Sequence, residues 1–432
     1  MRYLSTRGGT LPEPFSVALA AGMAPDGGLF VPEALPLFRT DAFSGRETLP
    51  TLAAGLLAPF FVSDVLAPAL PVICAESLDV PLPVHAFAPR SWMIELFHGP
   101  TAAFKDFGAR FLAACLARLR AHGAPVLTVL VATSGDTGAA VAAAFHKRTG
   151  FRVVILYPDG RVSPRQAHQL GCFGDNVHAL RVAGSFDDCQ ALVKRALSDP
   201  LLKHSLPLTS ANSISLGRLL PQITYYAYAA LGHWLGQGRR LNFVVPTGNL
   251  GNGLACVIAR ATGLPVGDIV LATNANRALP DFFAGGDYVP RAGVNTLANA
   301  MDVGAPSNFE RLRWLYADDS ALRKALSAES VSDEEIRDEI RASRQRYGTL
   351  ICPHTATATR VLTRLRARGD HRDYAIAATA HPAKFEQVIE PLIGTSVEIP
   401  QSLQTLLDRP AQSEPLAADY AALRKRLIAL SA

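Results

Sequence analysis

Two largely apolar runs, Pro125-Val-Leu-Thr-Val-Leu-Val-Ala132 and Leu241-Asn-Phe-Val-Val-Pro246, constrain the fold of this chain more than anything else in it. Each has the length of a strand. Each ends in a polar turn bearing glycine, Thr133-Ser-Gly-Asp-Thr-Gly138 or Thr247-Gly-Asn-Leu-Gly-Asn-Gly253, and passes into a helix of small residues. A strand without polar alternation is covered on both faces, as in a parallel sheet flanked by helices. Arg152–Tyr157, Ile269–Thr273 and Ala375–Thr379 read as further strands, and residues 185–197 as a helix. The alternation predicts an α/β protein with mainly parallel sheets, and the length of the chain two or three domains.

The first ninety or so residues differ. They are rich in proline and glycine, with Asp26-Gly27-Gly28 as a turn, and read as a small irregular domain. Farther on, Ser332-Asp-Glu-Glu335 opens a charged helix with a capping box, and Val331 and Ile336 are spaced as a hydrophobic staple.

Charge and cysteine usage narrow the classes of function. A net charge of +5 over 432 residues, with no basic run, argues against nucleic acid but permits small acidic substrates. No apolar stretch approaches the roughly 20 residues of a membrane helix. The start lacks a secretory pattern, and Cys74, Cys115, Cys172, Cys189, Cys256 and Cys352 lie scattered without Cys-x-x-Cys spacing. They read as reduced, mostly buried thiols in a cytoplasmic protein. No histidine or cysteine cluster suggests a metal site.

The stretch from Glu95 to Gly108 carries the first chemical signal. Lys105 sits between Phe104 and Phe107 at the start of an amphipathic helix whose apolar face is Phe111, Leu112, Cys115, Leu116 and Leu119, with Gly123 as a stop. A lysine at the positive end of a helix between aromatic walls is discouraged from carrying charge, and a neutral amine suits imine chemistry. The alternative is an ordinary solvated lysine.

Three loops offer anion-binding chemistry. Gly248 to Asn252 (Gly248, Asn249, Leu250, Gly251, Asn252) can converge backbone N–H groups at a helix start, as a phosphate ester requires, or be a plain strand-to-helix turn. The order is not the dinucleotide fingerprint. Thr133, Ser134 and Thr137 suit a carboxylate, or form an N-cap. Asn212, Ser213 and Arg218 suit a dianion, with a surface salt bridge as the default for the arginine. One lysine and one phosphate cradle are the minimum for pyridoxal 5'-phosphate.

Taken with Tyr3-Leu-Ser-Thr-Arg-Gly, Pro25-Asp-Gly-Gly-Leu-Phe, His98-Gly-Pro-Thr-Ala-Ala-Phe-Lys-Asp, Ser307-Asn-Phe-Glu-Arg, Pro353-His-Thr-Ala and Thr379-Ala-His-Pro-Ala-Lys-Phe, these segments resemble the threonine synthases nearly end to end. The N-terminal pieces resemble the longer bacterial and fungal branch. The resemblance implies a pyridoxal-phosphate type II fold, that of the tryptophan-synthase β chain. It implies a small N-terminal domain (1–90), a large cofactor-binding α/β domain (91–110 and 212–432) and a smaller mobile α/β domain (111–211). It further implies a carbon–oxygen lyase converting O-phospho-L-homoserine and water to L-threonine and phosphate, acting as a monomer or homodimer. The alternatives are a related phospho-lyase releasing 2-oxobutanoate, or a serine/threonine dehydratase.

By the same resemblance Lys105 holds the cofactor as an imine, Gly248 to Asn252 hold its phosphate, and Thr379 bonds the pyridine nitrogen. Asp136 stands where related enzymes place an asparagine facing the ring oxygen. Thr133, Ser134 and Thr137 receive the substrate carboxylate, and Asn212, Ser213 and Arg218 its phosphate. Departures occur at Ser215, at Arg277 in Asn274-Ala-Asn-Arg277, and in Leu297-Ala-Asn-Ala300.

Overall fold

The computed structural model describes residues 1–121 and 123–431. Its strands are β1 (Tyr3–Ser5), β2 (Phe30–Pro32), β3 (Val84–Ala88), β4 (Ser91–Glu95), β5 (Leu127–Ala132), β6 (Phe151–Pro158), β7 (Val177–Ala183), β8 (Leu208–Ser210), β9 (Leu241–Pro246), β10 (Val266–Thr273), β11 (Leu326–Ser330), β12 (Tyr374–Ala378) and β13 (Glu414–Ala417).

They form two parallel sheets and one ribbon. The larger sheet runs β11-β10-β9-β12-β4-β3, parallel except for the antiparallel edge pair β3–β4. The smaller runs β13-β7-β6-β5-β8 and is parallel throughout. Val153, Val154, Ile155 and Leu156 of β6 are all fully buried, which is why that strand reads as a continuous apolar run. β13 pairs with β7, so the last strand of the chain belongs to the smaller sheet; the sequence division, with residues 212–432 in one unit, does not foresee this return.

The N-terminal residues make the β1–β2 ribbon and short helices, including Leu49–Leu57 and Leu70–Leu78. Tyr3, Phe15 and Phe61 bury their rings there, and Phe61 meets Phe111 edge-on at 6.2 Å. Phe111 lies on the helix Lys105–Leu119, so this region packs directly on the lysine helix. That helix ends because Arg120 turns extended (φ −84°, ψ 127°), before Gly123 is reached.

The capping box of the helix Asp333–Tyr347 is present. Ser332 Oγ accepts the Glu335 N–H, the Glu335 carboxylate accepts the Ser332 N–H, and Val331 and Ile336 are buried. Ser332→Ala leaves that N–H without its partner and is expected to lower stability by about 1 kcal/mol. A denaturant titration of the two proteins measures it; an unchanged midpoint rejects the cap.

Candidate active site

Five parallel strands deliver their carboxyl ends to one cavity between the two sheets. Lys105 opens the helix reached by the loop after β4, Thr133 and Ser134 lie in the turn after β5 with Asp136 and Thr137 opening the helix that follows, and Asn212, Ser213 and Arg218 come from the segment after β8. Gly248 to Asn252 follow β9, and Thr379 follows β12. Every one of these residues lines that cavity. Ligands in open α/β sheets sit at this end of the strands.

The lysine loop is held by backbone pairing to the end of β12. Phe104 N donates to Thr379 O at 2.8 Å and His381 N to Ala102 O at 3.0 Å. Thr379 and Lys105 thus enter the cavity side by side although 274 positions separate them in the chain. Phe104 flanks the amine, its ring centroid 5.9 Å from Nζ. Phe107 does not: two residues on, roughly 200° round the helix, it packs edge-on to Tyr225 at 5.4 Å.

Burial pushes the Lys105 amine down to about 8, Arg218 and Lys384 act in the same direction, and Asp136 opposes them. Burial would raise Asp136, but Lys384, Lys105 and His354 hold it well below the usual carboxylate range. Burial also lowers Arg218 to about 10, against the pull of Asp106.

The Gly248–Asn252 turn is tightly specified. A Cβ on Gly248 would lie 2.7 Å from Met301 Cα, so only glycine lets the loop around Met301 lie on the turn. Leu250 adopts a left-handed φ of 65°, which turns the chain into the helix Gly251–Ala261. Asn249 Nδ2 donates to Ser213 Oγ at 2.6 Å, while its Oδ1 accepts from Ser307 N at 2.6 Å. The Tyr225 and Tyr226 hydroxyls both donate to Asn252 Oδ1, at 2.6 and 2.7 Å. That orients the amide and leaves Asn252 Nδ2 buried with no partner.

The other two loops behave differently. Thr133 Oγ1 accepts from Gly135 N and Gly138 N at 3.0 and 2.9 Å, so it caps the helix Asp136–Phe145 as well as facing the cavity. Arg218 is 2% exposed, and among the described residues no carboxylate forms an ion pair with it. Its Nη1 donates to Ala211 O at 2.6 Å and its Nε has no partner. Arg277, by contrast, lies outside the cavity and pairs with Asp281 at 3.0 Å.

Models for two threonine synthase regions, the N terminus and the C-terminal part, match residues 2–78 and 355–427, and a model for pyridoxal-phosphate dependent enzymes matches residues 92–381. Over 421 residues the chain is 40% identical to the threonine synthase of Serratia marcescens, covering 97% of each chain. This chain belongs to the threonine synthase family. The crystal structure of threonine synthase from Escherichia coli matches with a TM-score of 0.92 at 37% identity, over 99% of this chain and 100% of that one. A threonine synthase from Brucella melitensis with pyridoxal phosphate bound matches with a TM-score of 0.91 at 32% identity, over 100% and 99%.

Threonine synthases are pyridoxal-phosphate dependent, and the cavity fits that cofactor on its own terms. Its lining offers two unpartnered buried donors, Asn252 Nδ2 and Arg218 Nε. Buried polar groups left unpaired are costly and point to a missing acceptor. Lys105 and Arg218 put positive charge at the cavity, and the Asp136 carboxylate there is already paired with Lys384. An anionic ligand is what balances this set.

Sequence reasoning missed several members of the site. His354 lines the cavity and its Nε2 accepts from Ala300 N at 3.1 Å, positioning the loop over Gly248. Burial lowers it to about 4, so it is neutral at physiological pH. Gln222 donates to Arg218 O at 2.7 Å. Asn308 donates to Asn249 O at 3.0 Å and is itself held by Arg311, whose Nε reaches Phe30 O of the N-terminal ribbon at 2.9 Å. His354, Asn308 and Arg311 lie within the segments Pro353-His-Thr-Ala and Ser307-Asn-Phe-Glu-Arg, which carry the resemblance, but no local pattern marks them as facing the site.

Proposed function

We propose that this member of the threonine synthase family converts O-phospho-L-homoserine and water to L-threonine and inorganic phosphate. The observation that carries the reading is the convergence of one depressed lysine and three separate donor loops on a single cavity. One amine and three anion sites match one aldehyde cofactor with a phosphate and a substrate with a carboxylate and a phosphate.

Bound at Lys105, pyridoxal phosphate supplies a sink for the electrons released at the substrate's α and β carbons. Gly248 to Asn252 would hold its phosphate through backbone N–H groups and the Asn252 amide, whose Nδ2 has no other partner. The Thr379 hydroxyl would serve as hydrogen-bond partner of its pyridine nitrogen. Thr133, Ser134 and Thr137 orient the substrate carboxylate. Asn212, Ser213 and Arg218 hold the substrate phosphate, and Arg218 favours its departure by stabilising charge that grows on the leaving oxygen. The Lys105 amine, which burial lowers to about 8, would serve as the base for the Cα proton. Phosphate leaves Cγ once a second proton has left Cβ; a proton returns to Cγ, water adds its hydroxyl at Cβ, and a proton returns to Cα. Closure of residues 111–211 over the substrate keeps water out until phosphate has left.

The reading includes a cytoplasmic location and a monomer or homodimer. Among the described residues no helix is long and apolar enough to cross a membrane. Holoenzyme given O-phospho-L-homoserine is expected to release threonine and phosphate in equal amounts. Phosphate accompanied by 2-oxobutanoate in place of threonine overturns the assignment in favour of the lyase.

A further inference from the structure

One lysine in the motif Thr379-Ala-His-Pro-Ala-Lys-Phe has no part in the chemistry above. Lys384 is fully buried, with its side chain at 0% exposure. Lysine is rarely buried unless paired, because its desolvated charge is costly. Here Nζ lies 2.8 Å from Asp136 Oδ1 and donates to Thr101 O at 2.7 Å. Asp136 is 3% exposed and also accepts from Gln166 Nε2 at 3.0 Å.

These three contacts come from different parts of the molecule. Lys384 follows β12 of the larger sheet, Asp136 follows β5 of the smaller one, and Thr101 belongs to the loop that carries Lys105. The backbone beside Lys384 is anchored independently. Ser163 Oγ donates to Lys384 O and Arg165 Nη1 to Ala383 O, each at 2.7 Å. The side chain is therefore free to act as a charge bridge without being needed to place its own segment.

We infer that Lys384 is a positioning residue: by pairing with Asp136 across the two sheets it keeps that carboxylate from holding a proton on Lys105, and so leaves the Lys105 amine able to take up an aldehyde near neutral pH. The inference rests on the reading of Lys105 as the cofactor lysine.

Every charged group that faces these residues enters the balance. Lys105 feels Asp136 as an attraction and Arg218 and Lys384 as repulsions. Asp136 feels Lys384, Lys105 and His354, and His354 is neutral. Asp106, bonded to the Thr101 N–H and hydroxyl, faces Lys384 and Arg218 rather than the amine. Asp136 can serve one cation fully. With Lys384 present it serves Lys384; without it, the nearest remaining cation is Lys105, which then holds its proton to higher pH.

The test uses apoprotein reconstituted with pyridoxal phosphate between pH 6.5 and 10. The readout is the amount of Lys105 adduct fixed by borohydride in a short pulse, mapped by peptide mass. Wild type is expected to show a midpoint near 8. Lys384→Met is expected to move it upward by about one unit, the usual effect of unmasking an opposite charge. The double variant Lys384→Met/Asp136→Asn removes both charges, and its midpoint should return to the wild-type value or fall below it. Replacing a buried pair by neutral residues is often tolerated, so the double variant reports even if Lys384→Met is poorly folded. A lysine that merely holds the fold would lower the melting temperature and leave the midpoint of folded protein where it was; that result overturns the inference. If wild type gives no adduct at Lys105 at any pH, the cofactor reading itself is what fails.

Discussion

Lys105→Ala is expected to emerge from purification without covalently retained cofactor and to lose at least about a thousand-fold in turnover, the range seen when a positioned base and nucleophile is removed. The loss should be chemical and not structural. Among the described residues Lys105 Nζ makes no hydrogen bond or ion pair, and its neighbour is the Phe104 ring at 5.9 Å. Truncation therefore strands no partner. The folded-state value of the amine, about 8, lies below the unfolded 10.5. The protonated lysine thus weakens the native state below pH 8, and this penalty fades as pH rises from 8 towards 10.5. The variant apoprotein should be at least as stable as wild type at pH 7, with the difference shrinking above pH 8. Thermal melts at pH 7 and pH 10, beside borohydride mapping of the bound cofactor, measure both halves. Cofactor still fixed at another lysine would reject Lys105 as its site.

How far this was legible from the residues alone follows from what local sequence can encode. β9 is found to the residue, because a buried parallel strand declares itself by an apolar run closed by a glycine turn. The Lys105 helix and the Ser332 cap carry equally local signatures. β13 does not: Glu414–Ala417 is short, largely exposed and joins its sheet from the far end of the chain. The same distinction runs through the site. Glycine turns and hydroxyl-bearing loops mark candidate anion sites in the bare sequence, since that chemistry lies in a few neighbouring residues, and all three loops line the cavity. Lys384 means nothing locally. Its role depends on Asp136 and Thr101 arriving from two other loops, and strand order, which no short window records, decides that. Tyr225 and Tyr226 likewise read as two more aromatic residues of a buried helix until Asn252 lies under both hydroxyls.

Arg218→Met carries the second large effect. Among the described residues the buried guanidinium has no carboxylate partner and one nitrogen unsatisfied, and burial lowers it to about 10. A folded value below the unfolded 12.5 means the protonated side chain weakens the ligand-free fold at every pH below about 10. The space beside Gly108 is shaped for it all the same: a Cβ there would come within 2.9 Å of Arg218 Nε. A charge held at a loss until an anion arrives is the expected property of a phosphate subsite. Methionine keeps the stem and removes the charge. The holoenzyme variant should lose roughly 10²–10³-fold in kcat/KM on O-phospho-L-homoserine, the scale of removing one group that stabilises developing charge. Binding of an amino acid lacking the phosphate, read from the change in cofactor absorbance, should change little. Inorganic phosphate should raise the melting temperature of wild-type holoenzyme by mass action and leave that of the variant unmoved. Equal losses with both amino acids, with phosphate stabilising both proteins alike, would place the substrate phosphate elsewhere and leave Arg218 as a buried cation without a ligand.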